Sequence, residues 1–216
     1  MTSKKIVVLI SGSGSNLQAF IDAANTNALS ADITAVISNR ADAYGLERAK
    51  NAGIATEIVD HTCFQSRESF DTALKEAITP YNPDVIILAG FMRILTADFV
   101  RHFQGKLLNI HPSLLPKYPG LNTHQRAIDA GDNKAGATVH FVTEELDGGP
   151  AIIQASVSIE KQDDANQLAK KILPVEHKIY PLAAQWLIEN RIQLINNNTV
   201  MDGKTLAEGG FQFIEQ

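Results

Sequence analysis

Short apolar runs alternate with segments of helical spacing through the first half of the chain. The runs are Ile6–Ile10, Ile33–Ile37, Ile54–Val59, Val85–Ala89 and Leu107–Ile110, and between them Leu17–Ala28, Tyr44–Ala52, Phe70–Ile78 and Thr96–Phe103 carry the helical period. A strand that is apolar on both faces must be covered on both, and helices crossing over between parallel strands supply that cover. The pattern predicts an α/β fold with a doubly wound, mostly parallel sheet. After Gly120 the rhythm changes. A helix is expected over Thr123–Ala130, then strands over Ala137–Val142 and Ile152–Ile159, separated by the turn-rich stretch Thr143-Glu144-Glu145-Leu146-Asp147-Gly148-Gly149-Pro150. A long helix follows over Asn166–Asn190, with interruptions expected near Pro174 and Pro181. Arg191–Ile195 and Thr199–Met201, around three asparagines, read as a terminal hairpin. Antiparallel strands are thus added in the C-terminal half. No internal repeat, low-complexity tract or linker stands out, so residues 1–216 are expected to form one domain with halves at 1–110 and 111–216.

Composition sets the surroundings. With 216 residues, 44% of them apolar, the chain can bury a full core. It has no run of about 18 apolar residues to span a bilayer, and the five apolar residues after Met1-Thr2-Ser3-Lys4-Lys5 are too few for a secretory signal. A cytoplasmic protein is expected. Cys63 is the single cysteine, which rules out an internal disulfide framework or a cysteine metal cluster and leaves an inert thiol as the simplest reading. A net charge of -5 disfavours nucleic acid as a partner and favours small ligands.

Three segments carry candidate chemistry. The first is Ser11-Gly12-Ser13-Gly14-Ser15-Asn16, between the first strand and the first helix. Glycines let backbone amides approach an anion, and the helix start adds unpaired N–H groups and a positive dipole end. A dinucleotide fingerprint would need glycine where Leu17 stands and usually an acid after strand two, where Asn39-Arg40 occurs; a Walker loop would need Gly-Lys-Ser/Thr. A phosphate monoester fits what remains, although a glycine-rich turn with serine caps would look the same. The second segment is Asn109-Ile110-His111-Pro112-Ser113-Leu114-Leu115-Pro116-Lys117-Tyr118-Pro119-Gly120. Residues i and i+2 of a strand point to one side, so Asn109 and His111 can converge on one atom at the carboxyl end of a parallel strand, where open α/β sheets bind ligands. An imidazole and an amide there can donate to a developing oxyanion; they can equally satisfy loop carbonyls among the prolines. The proline spacing also makes Leu115-Pro116 a candidate cis peptide. The third is Asp147, in an Asp-Gly pair that by itself reads as a turn. Folded beside His111, its carboxylate would favour the charged imidazole and order a proton-carrying water.

The remaining candidates are weaker. His61, His102, His124, His140 and His177 have no metal-ligand spacing and read as structural or exposed, so no metal is expected. Ser113 lacks the Gly-x-Ser-x-Gly elbow of a serine nucleophile. Phe91-Met92-Arg93-Ile94-Leu95 suits the wall of a flat heteroaromatic ligand, or equally a packed strand-to-helix junction.

Taken together, Val7–Gly12 with Gly14–Gln18, Leu88–Leu95, Asn109–Gly120, Val139–Val142, Leu146–Pro150, Glu176-His177 and Tyr180-Pro181 resemble the phosphoribosylglycinamide formyltransferases, folate-dependent enzymes of purine synthesis. The resemblance spans nearly the whole chain, the last 25 or so residues excepted. It implies a Rossmann-like phosphate-binding first half and a folate site in the second. It also implies formyl transfer from 10-formyltetrahydrofolate, used as a co-substrate without metal, to the amine of 5-phosphoribosylglycinamide. Asn109, His111 and Asp147 match the family's catalytic set; Gly14, Ser15, Asn16 and Glu176 match its substrate contacts. Arg67, Met92, Arg93, Ile94, Leu95, Thr143, Glu144, Glu145, Leu146 and Asp147 match its folate contacts. The resemblance leaves Asp147, His111 or a water as the proton relay, and a monomer or homodimer as the assembly. A 10-formyltetrahydrofolate hydrolase or a non-catalytic phosphoribosyl sensor are the alternatives. A hydrolase usually has a further domain ahead of the first strand, and a sensor leaves the catalytic set unexplained.

Overall fold

Runs of Val, Ile and Leu without a polar member can sit only where both faces of a strand are covered. In the computed structural model, which describes residues 3–214, Ile6–Ile10 is such a strand interior, each side chain fully buried. Met1 and Thr2, the beginning of the stretch read for a leader, lie outside the described residues. The chain divides into two units, Met1–Leu108 and Asn109–Gln216.

The first unit alternates strand and helix in sequence: β1 (Lys4–Ile10), α1 (Ser15–Asn25), β2 (Ala31–Ser38), α2 (Gly45–Asn51), β3 (Ala55–Ile58), α3 (Arg67–Ile78), β4 (Val85–Leu88) and α4 (Ala97–His102). The strands lie in the order β4-β1-β2-β3, and every pairing among them is parallel. Val8 sits in register with Val36 on one side and Ile87 on the other, which puts the buried run of β1 between two partner strands. The predicted elements appear within a few residues of their predicted limits. Their common carboxyl edge gathers the loop after β1 and the segment after β4.

β5 (Leu107–His111) runs across the division. The second unit continues with α5 (Thr123–Asp129), β6 (Lys134–Phe141), β7 (Ala151–Ser158), α6 (Ala165–Ile188), β8 (Ile192–Ile195), β9 (Asn198–Met201), β10 (Lys204–Thr205) and β11 (Phe211–Phe213). Its strands follow the order β11-β7-β6-β5; β6 and β7 are antiparallel, and β11 joins β7 in parallel. A separate antiparallel sheet, β10-β9-β8, contains the expected hairpin. The mixed, mostly parallel α/β architecture predicted from the sequence is therefore present.

Two local expectations fail. Helix α6 is continuous through Pro174 and Pro181 instead of breaking at them. An internal proline costs about 3 kcal/mol, but α6 packs on β6 and β7 and buries Leu168, Ile172, Val175, Ile179, Tyr180 and Trp186, each worth roughly 1.5–3 kcal/mol. Burial outweighs the two breakers. A capping box also fixes its start, Asp164 accepting from the Gln167 N–H and the Gln167 side chain from the Asp164 N–H. The short strand β11 was not anticipated, because three residues give too little alternation; the Phe211 ring settles 5.3 Å from Trp186 of α6. Leu115–Pro116 is cis.

Candidate active site

The end of β5 brings Asn109 and His111 to the same side, and β6 and the turn after it bring their partners. The Asn109 amide nitrogen lies 3.2 Å from His140 Nε2, while His140 Nδ1 lies 2.8 Å from the Phe141 carbonyl oxygen. A carbonyl can only accept, so Nδ1 carries the proton; in the neutral ring Nε2 is then an acceptor, and Asn109 donates to it. Full burial pushes the His140 pKa down, with His111 adding to that against the opposing pull of the Phe141 carbonyl and Asp147. Neutral His140 therefore fixes which way the Asn109 amide points. The second N–H of Asn109 is left for another acceptor.

His111 is held at both nitrogens. Nε2 donates to the Tyr118 carbonyl at 2.9 Å, and Nδ1 faces Asp147 Oδ2 at 3.4 Å. Both side chains are buried, 7% and 9% exposed. The Gly120 N–H donates to the same Oδ2 at 2.8 Å. Asp147 Oδ1 stands 4.0 Å from His140 Nε2, which is too long for a hydrogen bond. Asn109, His140, Asp147 and His111 thus follow one another around a single cluster. Asp147 takes a positive φ of 52°, which aspartate tolerates better than most residues. The second glycine after it is required. A Cβ at Gly149 would stand 1.8 Å from the Phe141 carbonyl, so only glycine lets the turn close against the end of β6.

In the first unit, the loop after β1 leads into the N-terminus of α1, which has no side-chain cap. Gly14 has φ 71°, and a Cβ there would stand 2.7 Å from the Gly45 Cα. Helix α2 braces the loop from behind: the Gly45 N–H bonds the Gly12 carbonyl at 3.0 Å, and Arg48 Nε donates to the Ser13 carbonyl at 2.9 Å. Ser11 is already committed, donating to Asn39 Oδ1 at 2.6 Å and accepting from the Met92 N–H at 2.8 Å. The loop and the segment after β4 are thereby tied together. That segment exposes Met92 and Ile94, 71% and 50%, as apolar surface beside Arg93, whose guanidinium lies 6.0 Å over the Phe70 ring. Asp71 of α3 holds its far end, accepting from the Thr96 N–H at 2.5 Å, and burial raises the Asp71 pKa.

The other sequence candidates fall as follows. Arg67 is exposed at the start of α3, Leu95 and Thr143 are half-buried, and Glu144, Glu145 and Leu146 are exposed around the Asp147 turn. Glu176 is buried on α6. Of the candidates, Asn109, His111 and Asp147 are brought into one cluster. His140, Tyr118 and Gly120 were missed: His140 sits in an apolar strand that reads as core, and the other two act through backbone atoms that carry no residue signature. Among the described residues no group of three or more His, Cys, Asp or Glu is arranged to hold a metal ion. No helix among them is long and apolar enough to cross a membrane.

A glycine-bearing loop on the parallel sheet of the first unit and, in the second, a buried His–Asp pair beside an oriented amide are features of an α/β enzyme that works on small molecules. Residues 4–184 match the formyl transferase family. The chain is 52% identical over 206 residues to the phosphoribosylglycinamide formyltransferase of Escherichia coli K12, covering 95% of this chain and 97% of that one. It is 49% identical over 208 residues to the Haemophilus influenzae protein of the same name, covering 96% and 98%. The solved phosphoribosylglycinamide formyltransferase of Coxiella burnetii, in complex with CHES, superposes with a TM-score of 0.94 at 50% identity, over 99% of this chain and 100% of that one. The chain belongs to the formyl transferase family.

Proposed function

We propose that the chain transfers a formyl group from 10-formyltetrahydrofolate to the amine of 5-phosphoribosylglycinamide, giving 5-phosphoribosyl-N-formylglycinamide for purine biosynthesis in the cytoplasm. The observation that carries this reading is the cluster at the end of β5, where one Asn109 N–H is fixed on His140 and His111 faces Asp147. On this reading Gly14, Ser15 and Asn16 hold the phosphoribosyl group and Glu176 the glycinamide end. Arg67, Met92, Arg93, Ile94, Leu95 and the Thr143–Asp147 turn take the folate.

The chemistry needs no covalent enzyme intermediate. An α-amino group has a pKa near 8, so a useful fraction of the substrate amine is already neutral and nucleophilic at cellular pH. Its attack on the formyl carbon forms the new C–N bond and places a negative charge on the formyl oxygen. The second Asn109 N–H and His111 as an imidazolium stabilise that charge. Because Nε2–H is spent on the Tyr118 carbonyl, Nδ1 is the ring nitrogen that serves the substrate, and its 3.4 Å separation leaves its proton only loosely held by Asp147. Asp147 Oδ2 is taken by Gly120, so Oδ1 is the oxygen that accepts the amine proton. Collapse of the intermediate breaks the bond to folate N10, which receives that proton.

His111→Ala and Asp147→Asn should each lower kcat by about two orders of magnitude or more, with KM for both substrates little changed. Turnover is read from the absorbance change on folate deformylation, with and without the glycinamide ribonucleotide. Near-normal turnover in either variant would sink the assigned roles, and equal turnover without the amine would make the protein a hydrolase.

A further inference from the structure

The segment from Pro112 to Gly120 has no regular secondary structure, yet two of its backbone groups reach the reacting cluster: the Tyr118 carbonyl on His111 and the Gly120 N–H on Asp147. Backbone groups can aim a catalytic pair only if the backbone itself is held. The first half of the segment is bolted down from the buried side. Thr138 Oγ1 donates to the Ser113 carbonyl at 2.7 Å and accepts from the Leu115 N–H at 3.0 Å, and Gln154 Nε2 donates to the Leu115 carbonyl at 2.7 Å.

The second half has a different anchor. Beside it lies a cleft of about 490 Å³ lined by Leu114, Lys117, Tyr118, Ala127 and Ala135 among others, so close packing does not fix the chain there. Tyr118 also adopts φ 59°, a left-handed conformation that a bulky residue disfavours. Ser113 Oγ donates to the Lys117 carbonyl at 2.6 Å, and beyond that point the anchor of the Tyr118 side chain is Asp132, in the turn between α5 and β6. Its carboxylate accepts from the Tyr118 hydroxyl at 2.9 Å and from Lys117 Nζ at 2.9 and 3.0 Å. Arg126 of α5 adds a bond to the Pro119 carbonyl at 2.6 Å, its guanidinium 5.2 Å over the Tyr118 ring.

We propose that Asp132 and the Tyr118 side chain are positioning residues of the reaction, clamping residues 117–120 so that the Tyr118 carbonyl and Gly120 N–H set the orientation of His111 and Asp147. The Tyr118 hydroxyl touches no member of the cluster, and Asp132 reaches it only through this clamp. A change there alters the aim of the imidazole without removing any reacting group. The proposal rests on His111 and Asp147 being the catalytic pair.

The test compares Asp132→Ala, Asp132→Asn, Tyr118→Phe and His111→Ala in the full chain. Steady-state kinetics with both substrates are combined with ¹⁵N NMR of the histidine ring nitrogens, His111 being assigned from the signals lost in His111→Ala. Misplacing a catalytic group by a fraction of an ångström to 1 Å costs up to about 100-fold, and a loosened clamp should cost about tenfold in kcat with both KM values within about twofold. Tyr118→Phe and Asp132→Ala should show that loss and shift the His111 Nε2 signal. Asp132→Asn, whose amide oxygen still accepts from the hydroxyl, should recover to within about threefold of the parent. If Asp132→Ala fails to fold, Tyr118→Phe carries the test, because it removes one hydroxyl from a partly exposed ring. Parental kcat in Tyr118→Phe, or a loss there without any shift at Nε2, would overturn the clamp. Full activity in His111→Ala would instead overturn the assignment of the catalytic pair on which it rests.

Discussion

His140 owes its role to what its two nitrogens touch. With Nδ1–H spent on the Phe141 carbonyl and Nε2 accepting from Asn109, the ring is an unchanging spacer that converts a strand carbonyl into an orientation for an amide. An asparagine side chain is free to rotate by half a turn and present its oxygen, which would repel a developing oxyanion instead of stabilising it. His140 prevents that. Asn109→Ala removes the donor and should lower kcat by about 10²-fold, the scale of one lost oxyanion donor. His140→Leu leaves the amide in place but unaimed, and should lower kcat about tenfold or more. The discriminating measurement is the double variant. If His140 acts only through Asn109, the pair should be no worse than Asn109→Ala alone. Multiplicative losses would mean that the imidazole has an independent task.

At the level of elements, the loop after β1 and the turn around Asp147 show why some of the site is legible in the sequence and some is not. Gly14 is legible because a backbone requirement selects the residue type: its φ is positive and a Cβ would press on Gly45. The pair at 109 and 111 is legible because strand periodicity alone places both on one side. Gly148-Gly149 signals a tight turn, although nothing in that signal says the Asp147 carboxylate turns inward to His111. Tyr118, Asp132 and His140 stay hidden, since their contacts join positions 7 to 31 residues apart through a carbonyl, a surface turn and a buried strand. Helix α6 misleads for the opposite reason, since local breakers are overridden by tertiary burial that no local window contains. Substitution at the legible position makes a direct test of the phosphate assignment. Gly14→Val must adopt a disfavoured backbone and push α2 away, displacing the amides of Ser15 and Asn16. Calorimetric titration should then show affinity for the glycinamide ribonucleotide reduced at least tenfold, with folate affinity nearly parental. Unchanged ribonucleotide affinity would remove the loop from the binding site.

For the molecule as a whole, the same histidine that aims the amide makes stability depend on pH. His140 is fully buried and His124 half-buried, and desolvation pushes both pKa values below the ordinary 6.5, the nearby His111 contributing in each case. A histidine whose folded pKa is depressed binds fewer protons in the native than in the unfolded state once the pH falls below about 6.5, so the slope of stability with pH is positive there. Stability is fully present above pH 6.5 and is lost as pH falls from that value toward the folded pKa. Each such group adds up to about 1.4 kcal/mol per pH unit to that slope. Both lie in the second unit, on α5 and β6. The carboxylates held low by cationic partners, Asp132 by Lys117 and Asp202 by Arg191, lose their contribution only near and below pH 4, in a separate window. Urea unfolding between pH 7.5 and 5.0 should therefore show a midpoint that declines below pH 6.5. His140→Asn should flatten that decline by close to one proton, and it should do so even if the variant is less stable throughout. An identical slope in the variant and the parent would mean that His140 protonates as readily in the folded chain as in the unfolded one, and the neutral spacer on which the Asn109 orientation depends would have to be abandoned.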